Sequence, residues 1–427
     1  MEEAIRYLER SLRLDNNFAP AHAQLAIATM ILTGIVASPP EEARRTAIRH
    51  LDRAQALEPD LAEAHAGRAL LARYANDPES TVEHARKALA SNPNYIDAMH
   101  WLRIALETLG RGEEAEAIEK QMLVTDPMSV IGRVHYAGGL IYRGRIEEAH
   151  ELADQLLAQS QYAGYSVHAQ TSLWYEGKIA ESLSWALRAP EGNIYVIYAF
   201  ELVGEFDEAR RVKHRFTYWA DVVQGRWDEA IQATQRNLQL NPDGRGAIAD
   251  AAEVLYHAGR IDEALPLYER LLEFVPEGQP VPGWGSLAMT MRLALARRKA
   301  GDEEGAQAAA EIARQDHAAG RADGARNQFQ DLAEAMIAAF EHDPDRAIAA
   351  LKSAIQRGLR IPNYIIDPIF EDLRDEPRFV ALQEELDTML AAEHDRVLQL
   401  ICFNNPVPED WQPMLETCEG VMEQSSL

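Results

Sequence analysis

The sequence predicts an all-α protein assembled as a stack of helical hairpins, and three observations carry that reading. Prolines recur at Pro59, Pro93 and Pro127, and again at Pro242 and Pro276, in steps of 34 residues. A glycine-led marker has the same step: Gly110-Arg111-Gly112-Glu113-Glu114-Ala115 returns at 144–149, and Gly225-Arg226-Trp227-Asp228-Glu229-Ala230 returns at 259–264. No segment alternates apolar and polar residues for long enough to make a strand. Two independent markers sharing one period are the signature of stacked repeats.

The elements follow in chain order. Met1 opens directly into the second helix of a hairpin, with Ala4, Leu8 and Leu12 as its apolar stripe and no first helix before it. The expectation is a piece of a longer protein or a start at a domain boundary, the alternative being a native N-terminus whose first helix serves as its own cap. Residues 16–40 carry no Asp, Glu, Lys or Arg and include Ala26-Ile27-Ala28-Thr29-Met30-Ile31-Leu32. A membrane span needs about 20 unbroken apolar residues, whereas Pro20, Gln24, Gly34 and Pro39-Pro40 interrupt this stretch, so it reads as a buried helix. An insertion follows, placed at Gly34–Pro40, because Ala47 arrives nine residues late against the repeat. From there each marker has a physical task. Its glycine lets the chain turn at positive φ. The acids after it sit in the first turn of the next helix, facing the positive end of the macrodipole. Its alanine lets two antiparallel helices approach, and the proline ends the hairpin.

The 34-residue period, the glycine turn, Ala115 with Pro127, Ala47 with Pro59, Ala230 with Pro242 and Ala264 with Pro276 together resemble the tetratricopeptide repeat. The resemblance covers most of residues 1–358. It implies a right-handed α-solenoid of about 8–10 hairpins, closed by a C-terminal cap, whose first helices line a concave groove. It also implies a binding role, since the fold itself carries no chemistry. The run Asp367-Pro368-Ile369-Phe370, with Leu373-Arg374 and Pro377-Arg378-Phe379, resembles the closing segment of many bacterial tetratricopeptide proteins. In those the array often accompanies a nucleotide cyclase, a winged-helix regulator or a kinase.

The array departs from its own rule in three places. The insertion is the first. The step from Gly204 to Gly225 is only 21 residues, too short for a helix pair, and Gly259 to Gly301 is 42, with Pro276, Pro280, Pro282, Gly283 and Gly285 marking a long loop. Around the short step crowd Tyr195, Tyr198, Phe200, Phe206, Phe216, Tyr218, Trp219 and Trp227, read as rings filling the space of a lost half-hairpin. A ligand pocket is the competing reading, for which the sequence shows no convergent polar groups. Arg210, Arg211, Lys213, His214 and Arg215 form a solvated basic face or a docking point for an acidic partner. The expected organisation is an N-terminal array (1–190), an irregular aromatic junction (191–225), a second array (226–358), a helical cap (359–395) and a proline-containing tail (396–427).

Composition restricts function. The net charge of −26 and pI near 4.9 disfavour nucleic acid and membrane surfaces as partners. No basic start with an apolar block marks export, so a cytoplasmic location is expected. Two cysteines, Cys402 and Cys418, are too few to staple the chain and match no zinc or redox spacing. No phosphate loop, nucleophile elbow or paired-histidine zinc helix occurs. Histidines at equivalent repeat positions stand about 10 Å apart, too far to share a metal. Neither an enzyme, a cofactor nor a metal is expected. The helical register places Glu63, Ala66, Leu70, Arg73 and Tyr74 inward, then Asp97, His100, Ile104, Glu107 and Thr108, then Ile131, Val134, Gly138, Ile141 and Tyr142. Arg73, Tyr74, Asp97, His100, Glu107 and Tyr142 are the groove candidates, aromatic anchors beside polar groups that orient a peptide. A partner protein or peptide, basic or mixed in charge, fits this scaffold. Ala23 and Ile27 stand where a carboxylate clamp needs Lys and Asn, which argues against that clamp.

Overall fold

Apolar residues at helical spacing leave each element one face to bury, and the computed structural model shows how the hairpins do so. It describes residues 2–34, 41–75, 77–109, 111–189, 193–211, 218–242, 244–274, 286–322, 324–403, 413–414 and 417–418. Among these, the regular elements are all helices. After a leading helix Glu2–Leu14 come consecutive pairs, from Ala19–Gly34 with Glu41–Leu57 to Gln328–Phe340 with Pro344–Gln356. The insertion at 35–40 and the long loop at 275–285 lie outside the described residues.

The marker residues do what their chemistry predicts. Gly204 takes φ +88° and ends the helix Ile194–Val203, a conformation that a side chain would strain. The marker alanines Ala47, Ala115, Ala149, Ala230 and Ala264 are all fully buried. The arginine of the marker adds something the sequence reading lacked. Arg145 reaches Glu148 and Arg260 reaches Glu263, each at 2.6 Å, across the start of the second helix. These pairs are exposed, so they contribute little energy but hold the turn.

The chain forms two compact units. The first comprises Met1–Gly132, Asn241–Ala249 and Arg270–Gly283. Its core runs through Ile27, Met30, Leu51, Leu70, Trp101 and Ala115, so the uncharged stretch of the sequence is a buried helix. Asp77 caps Pro78–Ser91 by accepting from the Ser80 amide at 2.9 Å.

The second unit comprises Arg133–Leu240, Asp250–Glu269 and Trp284–Leu427. Here the nearest-neighbour rule of a solenoid breaks. The short step holds two six-residue helices, Phe206–Arg211 and Tyr218–Val223, flanking residues outside the description. Phe206–Arg211 is too short to cover its partner Ile194–Val203. A 27-residue helix, Pro377–Phe403, covers it instead, setting Val397 and Ile401 against Leu183, Leu187, Val196, Ile197 and Phe200. The same helix caps another: Glu393 accepts from the Ala180 amide at 2.9 Å, at the start of Ile179–Arg188. His394 meets Glu205 at 2.7 Å. Cys402 pairs with Cys418 in a disulfide, and Glu208 accepts from the Met414 amide and the Thr417 hydroxyl, so the described part of the tail lies against Phe206–Arg211. The disulfide joins two positions 16 residues apart near the C-terminus, so it fastens the tail and not the fold.

Candidate functional site

The first helices of the hairpins present the candidate surface, and the six groove residues divide between the units. In the first unit, Arg73 lies half-buried with its guanidinium 5.7 Å from the Tyr74 ring. Tyr74 packs on the core, and burial raises its hydroxyl. Asp97, in the first turn of Ile96–Thr108, is open to solvent yet crowded enough that desolvation lifts its carboxyl above the usual range. Beside it Tyr95 accepts a hydrogen bond from Gln24 at 3.1 Å, and burial first, then the charges of Asp97 and Glu63, raise its hydroxyl. Thus Gln24, Glu63, Tyr95 and Asp97, from three successive first helices, form one acidic, aromatic wall. His100 is half-buried in the same helix as Asp97. Glu107 pairs with Arg103 at 2.6 Å, and Arg103 reaches the buried Glu119 at 3.7 Å, so Glu107 belongs to a strut between helices. Ala66 and Leu70 are core, as are Ala23 and Ile27.

Tyr142 falls in the second unit. Its ring is 37% exposed, and its carbonyl accepts from the Asn327 amide group at 3.0 Å. That contact ties Val130–Tyr142 to a segment far along the chain, which the local register had no means of showing.

A second cluster joins the tyrosines that the sequence crowds around the short step to acids that it did not point to. The helix Gln161–Thr171 continues through a π-helical turn, Ser172–Glu176, that carries Trp174 and Tyr175. Trp174 stands edge-on to Tyr198 at 5.3 Å, and Tyr198 lies 6.3 Å from Tyr195. Tyr218 donates to Asp250 at 2.8 Å. Desolvation raises Asp250, Tyr198 and Tyr218 together, and pushes the buried Glu201 up to about 8. Deeper, Arg292 is enclosed between Glu253 and Asp367, the latter at 2.8 Å. Tyr256 donates to Asp367 at 2.8 Å and Tyr268 to Glu253 at 2.7 Å. This network anchors the Asp-Pro-x-Phe segment. A signal for the cluster existed: the register that selects Ile104 and Glu107 after Pro93 selects Glu253 and Tyr256 after Pro242.

Residues 223–280 match the tetratricopeptide-repeat family model. Within those residues the chain carries a tetratricopeptide repeat. Among solved structures it is similar to YrrB, a tetratricopeptide protein with an unusual peptide-binding site, at 14% identity, covering 48% of this chain and 97% of that one with a TM-score of 0.32. It is also similar to a tetratricopeptide repeat protein from Parabacteroides merdae, at 11% identity, covering 78% and 99% with a TM-score of 0.30. No curated protein matches. In tetratricopeptide terms, Gln24, Glu63 and Asp97 of the first cluster and Tyr195, Tyr198, Tyr218 and Asp250 of the second lie on first helices of hairpins. No group of three or more metal-ligating side chains occurs among the described residues.

Proposed function

We propose that this tetratricopeptide protein is a non-enzymatic scaffold that holds a protein or peptide partner, basic or mixed in charge, on the first helices of its hairpins. The observation that carries the reading is the wall of Gln24, Glu63, Tyr95 and Asp97, where two acids from successive repeats flank one tyrosine. Arg73, Tyr74 and His100 extend it, while Glu107 and Tyr142 take part only where their structural contacts leave an edge free. The net charge of −26 sets the sign of the partner and supports excluding nucleic acid and anionic membranes.

Titrating a lysine- and arginine-rich peptide at rising salt tests this. Affinity should fall about tenfold between 50 and 500 mM salt, roughly the range over which exposed charges become screened. An affinity indifferent to salt sinks the electrostatic half, and failure of every basic peptide to bind sinks the reading. The Asp-Pro-x-Phe segment supports a second reading, a regulatory array of a bacterial signalling protein. A cyclase, winged-helix or kinase domain encoded in the same reading frame would decide for it.

A further inference from the structure

The tyrosines of the short step are more than filling, because the structure supplies the convergent polar groups that the sequence did not show. Three first helices contribute. Ile194–Val203 brings Tyr195, Tyr198 and Glu201, Tyr218–Val223 brings Tyr218, and Arg245–His257 brings Asp250. Tyr195, Tyr198, Tyr218 and Asp250 are only half-buried, so the cluster reaches the surface. Among the described residues its charge is unbalanced. Glu253 is neutralised by Arg292 and Asp221 by Arg226, but the charges acting on the Tyr198 hydroxyl are those of Glu201 and Asp250, both acids. Among the described residues, Asp250 pairs with a tyrosine hydroxyl rather than a cation. Glu201 is 2% exposed, and its Oε2 has no hydrogen-bond partner. A buried carboxyl oxygen left unpaired is costly unless something else approaches it.

Aromatic faces attract cations through their quadrupole, and a carboxylate beside them adds direct Coulomb attraction. The missing complement is a positive group on an apolar stem. We propose that Tyr195, Tyr198, Tyr218 and Asp250, backed by Glu201, form a subsite for the cationic side chain of a bound peptide, an arginine or a lysine. This rests on the scaffold reading and adds a place and a chemistry to it. Burial lifts Glu201, Asp250 and Tyr198 above their ordinary ranges, and the Glu201 and Asp250 carboxyls raise the Tyr198 hydroxyl further, so the cluster is desolvated and acidic.

The test uses the full chain and calorimetry with a short Gly/Ser peptide bearing two arginines, beside a twin bearing citrulline. Wild type should bind the arginine peptide and bind citrulline at least about tenfold more weakly. Asp250→Asn keeps an acceptor for Tyr218 and should still lose about tenfold, as should Tyr198→Leu. Tyr198→Phe keeps the ring and should stay within about twofold of wild type. Glu147→Gln, an exposed acid on a second helix, should bind as wild type does. Equal binding of the citrulline twin overturns the subsite. So does an equal loss in Tyr198→Phe and Tyr198→Leu, or unchanged binding in Asp250→Asn with the peptide still held. Those results leave the scaffold reading standing. Absence of binding by any arginine or lysine peptide fails both.

Discussion

Asp367 shows how much one side chain can hold. It receives Arg292 at 2.8 Å and Tyr256 at 2.8 Å, and it also caps its own segment by accepting from the Ile369 amide at 3.0 Å. Breaking a buried ion pair from one side leaves a charge that water cannot reach. Asp367→Asn should therefore cost about 3 kcal/mol, seen as a lower midpoint in urea unfolding; an unchanged midpoint would refute the anchoring role. His257, on the helix that carries Tyr256, adds a pH dependence. Burial first, and then the charge of Arg292, push its imidazole from 6.5 down to about 3. The folded protein keeps the ring neutral while the unfolded chain takes up a proton below 6.5. Its contribution is thus fully present above that value and is lost as pH falls from 6.5 toward 3. Stability measured from pH 7 down to about 4 should decline, and less steeply in His257→Gln. Equal slopes would remove His257 as the cause.

At the level of the element, the fate of the short hairpin is the instructive case. A six-residue helix spans about 9 Å, less than two turns, and cannot cover the ten-residue helix Ile194–Val203. That helix is apolar almost all round, so uncovered it would face water. Pro377–Phe403 provides the second apolar surface, with Val397 completely enclosed. Val397→Asp places a charge where no partner exists. The expected result is detachment: amides of Pro377–Phe403 should exchange quickly, and Ile179–Arg188, which loses its Glu393 cap, should follow. Protection in Ala62–Tyr74, a helix of the other unit, should persist. If Pro377–Phe403 stayed protected, its role as a substitute partner would fall.

For the whole molecule, the sequence by itself determined the helical class, the hairpin period and the residues at each turn. Those features are local: Gly204 at positive φ, Ala115 and Ala149 without exposure, and acids in the first turns follow from a few residues in a row. The acidic charge was equally legible, being a sum over residues. The first-unit wall was half legible, since the register chose Glu63 and Asp97 inward but passed over Tyr95, which sits just before its helix begins. The second cluster was legible in its tyrosines but not in its acids, because Asp250 and Tyr198 stand far apart in sequence, and their approach depends on how successive first helices stack. Tertiary structure alone decided the return of Pro377–Phe403 onto Ile194–Val203, the approach of Asn327 to Tyr142 and the pairing of Cys402 with Cys418. The repeat rule describes contacts between neighbours and so has no term for a distant helix. What drew that helix back was apolar surface left bare by a missing half-hairpin, which only a folded chain can expose.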